Sequence, residues 1–530
     1  MDCRIISALI GWSEKGSNME LKKFAKILNS RDFPMDFPGH WIGGEWIKGN
    51  STVETKASWN PNRNEKLIEF PIDRSIMKPA IDAGQNVLRA MAASSLEERL
   101  ERIKNLRQAF ADFENEVMLA LRLEGGRPVW EARVDFENAL GYLDKIINEG
   151  PDIDRVLKAP YVAGGMNVDV RLNPEGVTLA FIPFSDPWMS FVQYFSSCIL
   201  AGCPVVFMSS SHAVLNSLLF ARLAENVGLP DGAMAMLFGD FTMFRLLMQD
   251  DRIRAVLYRG SMEHCTTLQK ENKTQGRKMV LQSGGKNAIV VDASASVDDA
   301  VNLVCWGAFK SAGQLCSSTS RVFLPRQMVS DFADRLIPAV RGMRIGPADV
   351  DEEPRPFMGP LYSRKAVDKF LRFQTMAKRE PGKTLLWGKS VEVGEPGYFV
   401  SPGVHLLERF NDSNAYQGNV LLFPDIALYE YDRIEDAIAM ANSTMASLVT
   451  SFVGDPAVLE SRQHLFEAPN LVCNLPTVEA EGHLTLSGKL HCGSHRLSGV
   501  GLTWLLTWPQ AVQAPAGGQQ VFKAWPGPGI

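Results

Sequence analysis

A chain of 530 residues is longer than one ordinary core accommodates, so two or three lobes are expected. Hydrophobic residues make up 45% and charged residues 22%, the balance of a soluble globular protein. A net charge of −5 argues against a nucleic-acid partner, which calls for a basic patch or stripe. The eight cysteines are scattered, which speaks against a dense disulfide framework and for reduced thiols in a cytoplasmic protein. No apolar run reaches the roughly 18 residues of a membrane span, so no membrane partner is expected. Residues 1–12 carry Asp2 before Arg4 and no small-residue cleavage site, unlike a secretory signal.

Residues 1–39 read as an N-terminal extension. Within it Met19 opens an amphipathic stretch (Leu21, Phe24, Ile27, Leu28), either the true start or a docking helix. Residues 40–75 alternate apolar and polar positions between turns and predict a small antiparallel meander. From 78 to about 150 the period is helical, and Ser95 with Glu98 forms a capping box ahead of Leu100, Ile103, Leu106 and Phe110. Strand-like segments at 177–182, 205–207 and 255–258 then alternate with helical stretches at 190–200, 213–227 and 240–249. That is the pattern of βαβ units on a parallel sheet. A second series begins at 288–291, with helices near 297–311 and 326–341, and Gly284-Gly285 reads as a hinge between two α/β lobes. Residues 160–175 and 500–512 read as strands outside both lobes, and the Pro/Gly-rich tail from 514 is expected to be mobile.

The chemistry is expected at Gly313-Gln314-Leu315-Cys316-Ser317-Ser318, between a helix and a strand at 321–324. A small-residue turn exposes the sulfur beside backbone N–H groups that can stabilise a thiolate and, later, an oxyanion. Alone, such a cysteine is more often structural, so its context decides. His491-Cys492-Gly493-Ser494-His495 comes nearest to a metal motif but lacks a second ligand pair, and no metal is expected.

The context is specific. Gly313-Gln314-x-Cys316 resembles the active-site motif of the aldehyde dehydrogenase superfamily, and Leu281-Gln282-Ser283-Gly284-Gly285-Lys286-Asn287 its Glu-Leu-Gly-Gly motif. Ile182-Pro183-Phe184-Ser185-Asp186-Pro187 falls at its Pro-Trp-Asn-Phe-Pro loop and Tyr258-Arg259-Gly260-Ser261 at its Phe-Thr-Gly-Ser turn. Phe423-Pro424 matches the Phe-Gly-Pro region and Ala441-Asn442-Ser443-Thr444 the Ala-Asn-Asn-Thr segment, in order and with the expected spacings. Residues 355–361 and Gly493-Ser494-His495-Arg496 resemble the succinylglutamate semialdehyde dehydrogenase branch most.

The resemblance implies an α/β protein of two doubly wound lobes with a β-hairpin oligomerisation element. The cofactor-binding lobe would span 40–152 and 176–283, the oligomerisation strands 153–175 and 499–513, the catalytic lobe 284–498 and the tail 514–530. It implies a small aldehyde or acyl substrate, NAD or NADP as acceptor, and a homodimer or homotetramer. In the family, the thiolate attacks the aldehyde, hydride passes to NAD(P)+, and a carboxylate base helps water cleave the thioester.

Several partners of the nucleophile differ here. The base position holds Gln282 and the oxyanion Asn position Ser185. Among the cofactor positions, Phe184, Gly239, Gly260 and Ser261 remain plausible contacts. The ribose-binding lysine falls at Met208, its neighbouring glutamate at Ser211, the close-approach glycine at Phe244, and the nicotinamide-ribose glutamate near Asn419 or Val420. Each lost charge-assisted hydrogen bond is worth on the order of 1.5–3 kcal/mol. Losing two or three weakens dinucleotide binding by about 10³, unless Lys286 or Arg259 substitutes. Ser494, His495 and Arg496 fall near the family's substrate mouth, where they would hold an anionic tail, or else form a plain surface loop. Three readings follow: an aldehyde dehydrogenase for an acidic acyl-semialdehyde, a cofactor-independent acyl transferase through Cys316, or a silent homologue with a structural or regulatory role.

Overall fold

The computed structural model describes residues 17–50, 52–153, 161–163, 166–273, 276–350, 353, 355–444, 446–478, 489–490 and 500–515. Helix α1 (Ser17–Ser30) is a docked helix: Leu21, Phe24 and Leu28 enter the first core and pack toward the helices at 114–125 and 214–224, while Ile27 stays exposed. The expected meander is two separate hairpins. Strands β1 (His40–Ile42) and β2 (Glu45–Ile47) turn at Gly43-Gly44 and join the main sheet through Trp41 opposite Met236. Strands β3 (Thr55–Asn60) and β4 (Glu65–Pro71) form a separate two-stranded sheet, which Met35 joins by a single bridge to Ile68. Alternation reports that a segment is a strand, not which neighbour it pairs with.

Four helices follow: α2 (Met77–Ala93), α3 (Leu96–Asp112), α4 (Glu114–Gly125) and α5 (Val129–Glu149). The Ser95–Glu98 capping box opens α3 as expected, with Ser95 N–H donating to Glu98 Oε2 at 2.7 Å and Glu98 N–H to Ser95 Oγ at 3.1 Å. Strands β5 (Tyr161–Ala163) and β6 (Met166–Pro174) lie outside the main sheets.

The alternating series then appears: β7 (Val177–Ile182), α6 (Pro187–Ala201), β8 (Val205–Ser209), α7 (Val214–Ala224), β9 (Met234–Phe238), α8 (Phe241–Met248), β10 (Ile253–Gly260), α9 (Met262–Glu271) and β11 (Lys278–Ser283). The sheet order is β11-β10-β7-β8-β9-β1-β2, with β7 to β11 parallel. Successive strands leave β7 in opposite directions, and the crevice at such a switch point is where α/β sheets place their sites.

The second series runs β12 (Asn287–Val291), α10 (Val297–Phe309), β13 (Thr319–Pro325), α11 (Val329–Arg341), α12 (Arg364–Ala377), β14 (Gly382–Leu386), β15 (Gly403–Leu407), β16 (Asp425–Tyr431), α13 (Ile434–Asn442), β17 (Ala446–Ser447), β18 (Val449–Val453), α14 (Pro456–Arg462) and β19 (Asn470–Cys473). The second sheet orders them β14-β15-β16-β13-β12-β18-β19, parallel except at β14. Gly284-Gly285 lies in the short link between β11 and β12, the point where the chain leaves one sheet for the other.

Strand β20 (Lys489–Leu490) pairs with β17. The segment expected to be one strand over 500–512 is a helix and a strand, α15 (Val500–Leu505) and β21 (Thr507–Pro515). Leu502 and Leu506 enter the first core four residues apart, a helical spacing hidden in an apolar run that periodicity alone reads either way. Strand β21 pairs antiparallel with β6, from Thr507 opposite Pro174 to Pro515 opposite Met166. The tail beyond 515 lies outside the described residues.

Candidate active site

Cys316 follows an uncommon backbone. After α10, Ser311, Ala312 and Gly313 have φ of 56°, 51° and 68°, three consecutive residues in the left-handed region. Non-glycine residues there cost on the order of 1–3 kcal/mol each, so the surroundings must impose the turn. A Cβ on Gly313 would strike the Phe423 carbonyl, so that position requires glycine. Glu131, fully buried on α5, accepts from Ser311 N–H at 3.1 Å and from Ser311 Oγ. Gln314 completes the clamp: its Nε2 donates to the Ser311 and Pro360 carbonyls, and its Oε1 accepts from Tyr362 N–H at 2.9 Å.

The Cys316 carbonyl is itself pinned, accepting from Gly285 N–H at 3.1 Å and Asn287 Nδ2 at 2.9 Å. Its side chain is half-buried against Leu448 and Val449. At four of the other described thiols burial disfavours the thiolate: it pushes Cys305 up to about 12, Cys203 up to about 11, Cys198 well up, and Cys473 upward.

Gln282, the penultimate residue of β11, lies directly beside Arg259 on β10. Its Oε1 accepts from Arg259 Nε at 2.7 Å. The same guanidinium donates to Asp186 Oδ2 and Ser190 Oγ, each at 3.1 Å, and to Gln193 Oε1 at 3.0 Å. Burial raises the Asp186 carboxyl, with Arg259 opposing that shift. Ser185 is buried, and its carbonyl accepts from Arg127. Arg127 also pairs with Glu131 and, at 3.6 Å, with Asp135, which stands 3.9 Å from Lys310.

This charged cluster of Arg127, Glu131, Asp135, Asp186, Arg259 and Lys310 underlies the nucleophile turn, and the sequence reading missed it. A signal was available: Glu131 and Asp135 stand four residues apart on α5, and Arg127 comes four residues before Glu131, just ahead of the helix start at Val129.

The cofactor positions tell a different story. Met208 is fully buried on β8, and Phe244 lies in the same core. A Cβ on Gly239 would lie 2.6 Å from Met243 Sδ and 3.4 Å from Met208 Cε, so methionines fill the space over that glycine. Beside Gly260 the space is taken by the Tyr258 ring, 2.6 Å from a Cβ placed there. Phe181 and Phe244 pack on Tyr258 with ring centroids 4.9 and 5.3 Å away. Ser261 caps α9, accepting from His264 N–H at 3.2 Å. Phe184 packs on Tyr362 at 4.2 Å, and Val420 covers Gly284.

Neither substitute cation faces this crevice. Lys286 is buried near the Tyr416 ring, 5.5 Å from its centroid, and burial lowers its pKa to about 7. Arg259 is bound by the four side chains above. The residues present do not fit a dinucleotide held in the family's ordinary way. Ser494, His495 and Arg496 lie outside the described residues, as does the His491–His495 stretch. Among the described residues, no group of three His, Cys, Asp or Glu side chains is placed to hold a metal.

Two mostly parallel seven-stranded sheets, a cysteine on a Gly-Gln-x-Cys turn at their junction, and a β6–β21 ribbon outside both define the class. The chain belongs to the aldehyde dehydrogenase family, whose model matches residues 46–503. It is 27% identical to an N-succinylglutamate 5-semialdehyde dehydrogenase of Photorhabdus laumondii over 494 residues, covering 90% of this chain and 96% of that one. The corresponding Serratia proteamaculans protein is also 27% identical, over 488 residues, with 90% and 96% covered. Among solved structures, an aldehyde dehydrogenase from Brucella melitensis biovar abortus superposes with a TM-score of 0.82 at 22% identity, covering 90% of this chain and 97% of that one. A 1-pyrroline-5-carboxylate dehydrogenase from Thermus with bound NAD gives 0.83 at 21%, covering 95% and 98%. At those identities the structural likeness establishes the fold.

Proposed function

We propose that this chain is an aldehyde dehydrogenase-like enzyme whose Cys316 captures the carbonyl of an aldehyde, an acidic acyl-semialdehyde being the favoured class, with weak affinity for NAD or NADP. One observation carries the reading: Cys316 is half-exposed on a turn whose strained backbone is held by Glu131, Gln314, Gly285 and Asn287. Strain maintained by so many partners is characteristic of functional sites. In the capture step the thiolate sulfur bonds to the carbonyl carbon, the π pair moves to oxygen, and that oxygen takes a proton to give a thiohemiacetal. The substrate class is supported by the names of the relatives above. A cytoplasmic homodimer or homotetramer is part of the same reading, with the β5–β6–β21 ribbon as its support.

The test is protection. A small aldehyde should slow iodoacetamide labelling of Cys316, mapped by mass spectrometry, and absence of protection by any aldehyde counts against the reading. A second reading, acyl transfer from a thioester to a thiol or amine, is favoured by Gln282, which has no carboxylate to activate water. There Cys316 sulfur displaces the donor thiolate, and the acceptor later displaces Cys316.

A further inference from the structure

The side chain of Gln282 has a fixed polarity. A guanidinium carries only donors, so the Gln282 atom 2.7 Å from Arg259 Nε must be its carbonyl oxygen. That settles an amide orientation otherwise open to a flip. The Nε2 branch therefore points away from Arg259. It has no hydrogen-bond partner among the described residues, and it is not among the polar atoms both buried and unpartnered.

Its direction follows from the strand. Along β11 side chains alternate between its two faces, and Gly284 follows Gln282 by two positions, one residue past the strand's end at Ser283. That side of Gly284 borders the nucleophile beneath Val420 and Leu422: a Cβ there would lie 3.0 Å from Val420 Cγ1, 3.5 Å from Leu422 Cδ2 and 3.7 Å from Cys316 Cα. Gly285 N–H then bonds the Cys316 carbonyl. A neutral amide on that face cannot take a proton from water, but it can give a hydrogen bond.

The site needs such a donor. Attack of Cys316 on a carbonyl puts negative charge on oxygen, and Ser185 offers only a short hydroxyl where the family has an amide. We infer that Gln282 is a catalytic donor, its Nε2–H stabilising the oxygen of the Cys316 adduct, and that Arg259 is the positioning residue that aims it. The inference rests on the proposed covalent capture at Cys316. It turns the loss of the family's carboxylate into a change of role: the position that elsewhere removes a proton here supplies one side of the oxyanion hole.

Two electrophiles separate this from a structural role. With p-nitrophenyl acetate, the sulfur adds to the carbonyl, an oxyanion forms, and p-nitrophenolate leaves as C=O reforms. With iodoacetamide, the sulfur displaces iodide and no oxyanion arises. Gln282→Met should slow the p-nitrophenolate burst by on the order of 10²–10³-fold, the usual effect of losing one such donor. Iodoacetamide labelling of Cys316 in the same protein should stay within about twofold of the unchanged enzyme, since no oxyanion donor acts there. Gln282→Glu, which keeps the Arg259 partnership with a carboxylate in place of the amide, should show the same split if the Met variant does not fold. Arg259→Lys should slow the burst without changing the labelling rate. An unchanged burst in the folded Gln282 variants, or equal losses toward both electrophiles, overturns the inference. A burst that persists in Cys316→Ser overturns the underlying reading instead.

Discussion

Asn287 Nδ2 stands 2.9 Å from the Cys316 carbonyl oxygen, while its own Oδ1 receives the backbone N–H groups of Leu448 and Val449 at 3.1 and 3.0 Å. Nδ2 reaches the Ser318 carbonyl as well, at 3.1 Å. One buried amide thus joins the nucleophile turn to two strands of the second sheet. Asn287→Ala should destabilise the protein by about 1–3 kcal/mol, the cost of leaving buried partners unsatisfied. Urea denaturation measures that cost, and labelling of Cys316 should become slower and less selective in the same variant.

The reactive thiol should be Cys316. Brief, substoichiometric iodoacetamide followed by peptide mapping should find it labelled ahead of Cys198, Cys203 and Cys305, whose burial disfavours the thiolate. Dominant labelling elsewhere with Cys316 untouched would remove the basis for covalent chemistry.

Dinucleotide affinity should be poor, by about 10³ relative to a site with its charge-assisted contacts intact. Calorimetric titration with NAD+ and NADP+ is the measurement. A dissociation constant in the low micromolar range would show that Met208, Met243 and Tyr258 move aside for the ligand.

Deacylation should be slow and should respond to Gln282→Glu. Once Cys316 carries an acyl group, restoring a carboxylate should speed its release to water by about 10²–10⁴-fold, the usual contribution of a general base. Intact-mass decay of the acylated protein reads this directly. Together with the slower burst expected above, one substitution should move the two half-reactions in opposite directions.

Stability should fall on mild acidification partly through His40. Burial lowers its pKa from 6.5 to about 4, and its Nδ1 accepts from Phe238 N–H at 3.1 Å, which requires a neutral ring. Between those values the unfolded chain holds a proton that the folded one does not. Stability therefore rises with pH across the interval and is lost as pH falls through it, by up to about 1.4 kcal/mol per unit. His40→Gln should flatten that part of the pH dependence in urea melts.

Local signals were legible in the sequence. The capping box, the alternation of strands and helices and the small-residue turn at Cys316 each depend on neighbours a few residues apart. What escaped depends on distant ones. Left-handed φ at Ser311 and Ala312 is imposed by Glu131, 180 residues earlier, and no local propensity announces it. The polarity of Gln282 comes from a strand partner, Arg259, which as a sequence feature read only as a spare cation. The first hairpin joins the sheet through Met236, far beyond any turn signal.

The nine-residue pairing of β21 with β6, and the burial of Leu502 and Leu506 in the first core, bind the order of synthesis to the order of folding. Domains generally fold as units while the chain emerges, N-terminal first. Here the lobe begun first lacks part of its core until residue 506 has been made, whereas the second sheet is complete by residue 473. A nascent chain stalled shortly after the second sheet would therefore carry a finished younger lobe and an unfinished older one. Its exposed apolar surface, the kind chaperones bind, would lie near the N-terminus rather than beside the ribosome.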